Sequence, residues 1–274
     1  MKLSIVSNAY SQHSFEEVIK HVSRLGYEGV EIARTHPVHE LDKQSRTKLL
    51  AQLNSLNLKV SAVQGGTPTL DVEFAKERID LASDLGSSVV NIGPGLDLVN
   101  EGDREENWKK AIAGFKELAK YAADKGIKVA TEAEPPATGF AAGRIGRSYP
   151  RLISTLKDME RILNEVTADN FGILLDVGHM YVMSENPFLV IRKLGKKIFH
   201  IHMEDIFDHI HCHFVPGSGG KVDGEGIIRA LERVGYEGYL SVEVELTTPI
   251  EESDRVALEG IQYLEGLLYR LNLR

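Results

Sequence analysis

The sequence predicts an α/β fold, a single (β/α)8 TIM barrel that forms one domain over residues 1–274. Three observations lead to this prediction. The length of 274 residues leaves about 34 residues for each of eight units, enough for one strand, one helix and two short loops. Short hydrophobic runs alternate with amphipathic helical patterns along the chain. Glycine closes several of the predicted helices shortly before the next strand.

Eight runs rich in β-branched residues are predicted as strands, and several are continuously hydrophobic, as parallel strands covered on both faces usually are. They are Leu3–Asn8, Gly29–Arg34, Lys59–Gln64, Ser88–Gly93, Lys128–Glu134, Phe171–Val177, Lys197–Glu204 and Gly238–Glu245. No G-x-G-x-x-G motif follows the first strand, so an open dinucleotide-binding sheet has no support. Strict alternation therefore favours a closed barrel.

The segments between the strands carry apolar residues at helical spacing. The first helix begins at a capping box of Ser14 and Glu17, and the last is expected from about Glu251 to Leu271. The glycines predicted to close helices with a left-handed residue are Gly26, Gly86, Gly126, Gly195 and Gly235. The three longest connections are Thr35–Leu41, Pro135–Arg147 and Ile206–Gly226, and they follow strand ends, where a barrel builds its active site.

Composition excludes several classes of protein. One cysteine, Cys212, rules out an internal disulfide framework and a cysteine-based zinc ribbon. The net charge of −8 opposes non-specific binding to nucleic acid. No apolar run reaches the roughly 18 residues of a membrane span, and the N-terminal residues carry no long apolar stretch typical of a signal peptide. We therefore expect a cytoplasmic protein with no membrane or nucleic-acid partner.

Polar residues lie at the carboxyl ends of four consecutive predicted strands. Side chains alternate along a strand, so His200, His202 and Glu204 are expected to point into the barrel, and Phe199, Ile201 and Met203 toward the helices. The same alternation directs Glu132, Asp176 and Glu243 toward one mouth. Each acid alone could cap a strand end or pair with a Lys or Arg. Together with His202 they suit one divalent ion: Mn²⁺, Mg²⁺ or Co²⁺ by preference, with Zn²⁺ an alternative.

These segments resemble motifs of the xylose-isomerase-like barrels, the sugar phosphate isomerases and epimerases, over nearly the full length. LGYEGVEI is similar to the family's turn into its second strand, and HFVPGSGGKVD to its His-x-x-Pro-Gly-x-Gly loop. TEAEP, ILLDVGH, FHIHMED and SVEVE resemble the strand-end motifs that carry its metal ligands. Carried over to this chain, the ligands are Glu132, Asp176, His202 and Glu243.

The resemblance implies a metal-dependent isomerase or epimerase acting on a sugar, a sugar phosphate or a polyol-derived ketone. In the family's ketose 3-epimerases two metal-bound glutamates flank the substrate, which makes Glu132 and Glu243 the acid/base pair for proton transfer through an enediolate. A dehydratase of the inosose or dehydroshikimate type is the alternative on the same site. A non-catalytic binding barrel is a third interpretation.

Three further histidines suggest a second metal site or substrate contacts. His179 follows Asp176, and His211 and His213 lie in the last long connection. Endonuclease IV-type hydrolases, which resemble this superfamily, bind a metal with residues at comparable places. Two of their other ligands are histidines where this chain has Gln64 and Gly93, so a DNA-repair role is disfavoured.

Substrate contacts are expected around the mouth. The candidates are Asn8, His36, Gln64, Arg144 and Arg147, with Arg34 beside His36 on the pocket wall. The two arginines of the Pro135–Arg147 connection can grip a phosphate or carboxylate, or can remain solvated. A carbohydrate is the expected ligand, and the resemblance makes a homo-oligomer plausible.

Overall fold

A computed structural model describes residues 1–67, 70–94, 104–138, 148–149, 151–208, 210–245 and 248–274. Eight parallel strands close into a barrel, which confirms the predicted fold class. The barrel strands, in chain order from β1 to β8, are Lys2–Val6, Gly29–Ile32, Lys59–Gln64, Val89–Asn91, Lys128–Glu132, Phe171–Asp176, Ile198–Met203 and Tyr239–Val242. Each strand pairs with its sequence neighbours, and β8 pairs with β1 to complete the closure.

Nine α-helices cover the barrel within the described residues. In chain order, α1 to α9 are Phe15–Arg24, Lys43–Ser55, Val72–Asp84, Arg104–Ala123, Leu156–Glu165, Val177–Val182, Pro187–Leu194, Gly224–Arg233 and Ile250–Arg270. The predicted capping box is present, because Ser14 and Glu17 exchange side-chain and backbone hydrogen bonds. All five glycines predicted to close helices have positive φ, between 50° and 95°. None of the described helices has the length and apolar character needed to cross a bilayer.

Several strands are shorter than predicted at their carboxyl ends. β1 stops at Val6, and Ser7–Tyr10 forms a 3₁₀ turn in place of a continued strand. β6 stops at Asp176, which becomes the N-cap of the short helix α6 by accepting a hydrogen bond from the backbone of His179. β6 thus leaves the sheet early because the Asp176 side chain satisfies a backbone N–H of the following helix.

The inside of the barrel contains a small apolar cluster of Ala62, Val89, Ala130 and Leu174, with Phe199 packed against it. The prediction that Phe199 faces the helices is therefore wrong. A β-bulge is the reason, since Leu174 pairs with His200 while the preceding Ile173 pairs with Ile198. The extra residue turns inward beside Gly172, where an added Cβ would lie only 2.6 Å from the Phe199 ring.

A hairpin stands over the mouth next to β7, and it is called the mouth hairpin here. Its strands are Asp205–Phe207 and Ile210–Phe214. The buried carboxylate of Asp205 accepts backbone hydrogen bonds from Gly219, Gly220, Lys221 and Val222, at 2.8 to 3.2 Å. This carboxylate fixes the loop after the hairpin, and with it the position of the histidines that the hairpin carries. A second two-stranded sheet pairs Ala137–Thr138 with Ser148–Tyr149.

Candidate metal centre and active site

Four predicted ligands meet at the carboxyl ends of consecutive strands. Glu132 ends β5, Asp176 ends β6, His202 lies in β7 and Glu243 directly follows β8. Each offers one ligand atom, and these atoms all lie within 4.8 Å of one another. Asp176 and His202 are fully buried, and the two glutamates are at most 9% exposed. The closed topology explains this meeting, because neighbouring parallel strands end at the same rim.

The donor atoms are arranged around a common point. Nδ1 of His202 lies 2.7 Å from Oε2 of Glu243 and 3.8 Å from both Oε1 of Glu132 and Oδ2 of Asp176. Oδ1 of Asp176 accepts from the His179 backbone at 2.9 Å, whereas its Oδ2 is buried without a hydrogen-bond partner. Nδ1 of His202 likewise has no aligned hydrogen bond. An imidazole nitrogen and a carboxylate oxygen without hydrogen-bond partners, beside two further carboxylates, fit a divalent cation.

Glu31 of β2 supports this site, and sequence reasoning missed it. Its fully buried carboxylate accepts from Nε2 of His202 at 3.0 Å and from Nε2 of His200 at 2.8 Å. Because the Nε2 proton is held there, the Nδ1 atom of His202 is the one that faces the other ligands. The available signal was a lone acid inside the hydrophobic strand Val30-Glu31-Ile32.

The charges of the four residues depend on one another. Burial raises the pKa of Glu132 to about 8, and the Glu243 carboxylate adds to that rise. Burial also raises the pKa of Asp176 well above its usual range, with Glu204 and Glu243 contributing. At Glu243 the opposing attraction of His202 outweighs burial and lowers the pKa to about 2. In the absence of a cation the cluster therefore retains protons that a metal ion can displace.

Two further contacts orient Glu132. Nδ2 of Asn91, at the end of β4, donates to Oε2 of Glu132 at 3.0 Å. Nδ1 of His179 lies 3.3 Å from Oε1 of Glu132 and donates to the carbonyl of Ala133 at 3.1 Å. Burial, with nearby His211, lowers the pKa of His179 to about 3, so its imidazole is neutral. Asn91 was not among the predicted site residues.

A second group of donors lies beside the first, and we call it the outer cluster: His179, Glu204 and His211. Their ligand atoms also lie within 4.8 Å of one another. His213 approaches the cluster through Nδ1, which is 2.8 Å from Oε2 of Glu204. The structure thus brings the three predicted histidines together around Glu204. Strand alternation correctly pointed Glu204 inward, but nothing in the sequence showed that the mouth hairpin would fold back over it.

A cavity of about 530 Å³ opens above both clusters, a size suited to a small polar ligand. Asn8 and Gln64, two of the predicted substrate contacts, line it, and so does Arg34. Glu134 and Arg151, which were not predicted, also line it and form an ion pair at 2.7 Å. Arg144 and Arg147 lie outside the described residues.

The structure does not bring His36 to the cavity, which corrects that expectation. Its ring is buried beneath the loop after β2, where Nδ1 lies 3.0 Å from the Ser7 hydroxyl and Nε2 lies 3.1 Å from the His13 carbonyl. The ring also packs edge-on against Phe15. The 3₁₀ turn that ends β1 supplies the Ser7 hydroxyl, and the segment before α1 supplies the His13 carbonyl, so His36 supports the rim instead of facing a ligand.

Residues 19–267 match the family model of the xylose isomerase-like TIM barrel. The chain belongs to this family. Among curated relatives, inosose dehydratases from Clostridium botulinum (strain Alaska E43 / Type E3) and Glaesserella parasuis serovar 5 (strain SH0165) are each 24% identical, and both alignments cover 93% of this chain and 90% of the relative.

Solved structures share the fold at low sequence identity. D-psicose 3-epimerase from Clostridium cellulolyticum H10, crystallised with D-tagatose, superposes with a TM-score of 0.81 at 19% identity, covering 98% of this chain and 99% of the other. The IOLI protein with a bound zinc atom superposes with a TM-score of 0.78 at 20% identity, again covering 98% and 99%. Both superpositions cover nearly the full length of each chain.

Proposed function

We propose that this protein is a divalent-metal-dependent isomerase or epimerase of a sugar, a sugar phosphate or a polyol-derived ketone. One observation carries the proposal: Glu132 and Glu243 lie at the two outer positions of the four-ligand cluster, on β5 and after β8, with Asp176 and His202 between them. Two carboxylates so placed can reach a bound substrate from different sides. The likeness to epimerase structures supports the proposal.

The ion would be held by Glu132, Asp176, His202 and Glu243. When bound, it supplies a Lewis acid that polarises a carbonyl and makes the neighbouring C–H more acidic. One of the two glutamates removes the proton from the carbon beside the carbonyl, and the other returns it. Asn91 donates to Oε2 of Glu132, which fixes the orientation of this carboxylate at the rim.

The cavity walls suit a polyhydroxylated ligand. Amide groups of Asn8 and Gln64 offer both donors and acceptors to hydroxyl groups. The ion pair of Glu134 with Arg151 adds further donors and acceptors on the wall near β5. This lining supports a carbohydrate ligand over an apolar one.

A dehydratase is the second candidate, and the inosose dehydratases among the curated relatives favour it. Dehydration also begins with removal of the proton beside a carbonyl, but it needs an acid for the departing hydroxide. His213 lines the cavity and retains a proton, because its contact with Glu204 outweighs burial and raises its pKa to about 9. It is the side chain we would assign to that step.

Reactions in deuterated water distinguish the two candidates. The metal-loaded protein is incubated with a panel of ketoses and cyclitol ketones, and products are analysed by NMR and ultraviolet absorbance. An epimerase yields an isomer carrying solvent deuterium, whereas a dehydratase yields an enone that absorbs in the ultraviolet. We expect Glu132→Gln and Glu243→Gln to abolish either reaction, and Glu237→Gln, an exposed control before β8, to leave it intact. Unchanged turnover in both glutamine variants would refute the assignment.

A further inference from the structure

We infer that the outer cluster of His179, Glu204 and His211 is a second metal site, which takes a borderline divalent cation such as Zn²⁺. The inference adds an ion next to the centre on which the proposed function rests, but it is carried by different residues. No relative or matched structure described above assigns a role to Glu204. Two imidazoles and one carboxylate are a donor set typical of zinc, and a solvated mouth leaves a coordination position open.

The distances between the donor atoms are those expected around one small ion. Nε2 of His179 lies 3.0 Å from Nε2 of His211, and Nε2 of His211 lies 3.3 Å from Oε1 of Glu204. Ligands bonded to zinc at about 2.0 to 2.2 Å in a tetrahedral arrangement are separated by roughly 3.3 Å. The three side chains need little movement to receive an ion.

Glu204 is the strongest evidence that a cation belongs here. Its carboxylate is fully buried and has no aligned hydrogen bond among the described residues, and the side chains that approach its oxygens are the imidazoles of His211 and His213, at 3.3 and 2.8 Å. A buried carboxylate without aligned donors is costly, and an ion removes that cost. Gly178 at the start of α6 makes room for it, because an added Cβ there would collide with the Glu204 carboxylate.

The surrounding contacts orient the side chains of the outer cluster. Nδ1 of His179 donates to the Ala133 carbonyl at 3.1 Å, which leaves the lone pair of Nε2 directed at the cluster. A backbone carbonyl on the far nitrogen is the usual support of a metal-binding histidine. His213 lies 2.8 Å from Oε2 of Glu204 and has positive φ, 44°, an uncommon backbone conformation for a residue other than glycine. The mouth hairpin thus holds His213 against the carboxylate as a positioning residue.

The test is the number of ions bound. Purified full-length protein is stripped with a chelator, reloaded with excess Zn²⁺, desalted and analysed by mass spectrometry for zinc per chain. We expect two ions in the unmodified protein and one in Glu204→Gln. His211→Gln, a change on the partly exposed hairpin, should also retain one and serves as a second variant if Glu204→Gln fails to fold. His39→Gln, a partly buried histidine outside both clusters, is the control and should retain two.

Cobalt substitution supplies an independent readout. Co²⁺ absorbs visible light with an intensity and wavelength that depend on its ligands, so the two bound ions should each contribute to the spectrum. Glu204→Gln and His211→Gln should lose the contribution of the outer cluster and keep that of the four-ligand centre, whereas Asp176→Asn should show the reverse.

One zinc ion in the unmodified protein, with none in Asp176→Asn, would overturn the second site and leave the proposed function standing. Two ions retained in both Glu204→Gln and His211→Gln would also overturn it. A single ion that survives Asp176→Asn but not His211→Gln would support the outer site and refute the centre used by the proposed function.

Discussion

Glu31→Gln tests whether the buried carboxylate behind His202 tunes the metal centre. The substitution keeps the shape of the side chain and one acceptor for Nε2 of His202, which now lies 3.0 Å from the carboxylate, but it removes the negative charge. A carboxylate behind a metal-bound imidazole makes the facing nitrogen a better ligand, and losing such a partner typically weakens metal binding by about 10- to 100-fold. That range corresponds to roughly 1.4 to 2.7 kcal/mol.

Isothermal titration of Mn²⁺ into chelator-treated protein measures this effect. Glu40→Gln, an exposed change, is the matched control and should bind as the unmodified chain does. Circular dichroism and thermal unfolding show whether Glu31→Gln is still folded, since removal of one partner from a buried ion pair can cost about 3 to 5 kcal/mol. A folded Glu31→Gln protein whose Mn²⁺ affinity stays within twofold of the unmodified value would refute the reasoning.

Three other changes probe the site. Chelator-stripped protein should unfold at a lower temperature, and metal added at a hundred times its dissociation constant should restore about 2.7 kcal/mol, measured by thermal shift; no recovery would argue against a folded-state site. Asn91→Ala removes the donor to Glu132, so kcat should fall roughly 10-fold or more with folding retained, and an unchanged kcat would remove Asn91 from the site. Gly178→Ala forces a methyl group against the Glu204 carboxylate and should cost about 1 to 3 kcal/mol in urea unfolding, whereas a neutral effect would show that Glu204 can move away.

The fold was predictable because its signals are local. Strand and helix periods, the capping box of Ser14 and the helix-closing glycines each depend on a few neighbouring residues, and the barrel follows from their strict alternation. The same alternation predicted that Glu132, Asp176 and His202 would point to one rim, and in the structure their ligand atoms lie close together there. Side-chain direction along a regular strand is therefore enough to propose ligands before any tertiary contact is known.

The errors arose where regular periodicity stops or where contacts cross the barrel. The bulge in β7 reverses the direction of Phe199, and no residue in that strand marks it. The role of Glu31 depends on its hydrogen bonds with His200 and His202. These two residues lie on β7, across the barrel from β2. His36 was misplaced because the early end of β1 created hydrogen-bond partners that alternation does not foresee. These contacts depend on tertiary geometry that a single strand does not encode.

The short helix α6 links the two donor clusters. Oδ1 of Asp176 caps this helix at the His179 backbone, while Oδ2 of the same carboxylate faces the four-ligand centre. The His179 ring lies between the clusters in turn, with Nδ1 near Glu132 and Nε2 toward His211. An ion that fixes Asp176 therefore also fixes the start of the helix that presents His179. A metal ion bound at the four-ligand centre should therefore help to position His179 for the outer cluster, because Asp176 and His179 lie on the same turn of helix.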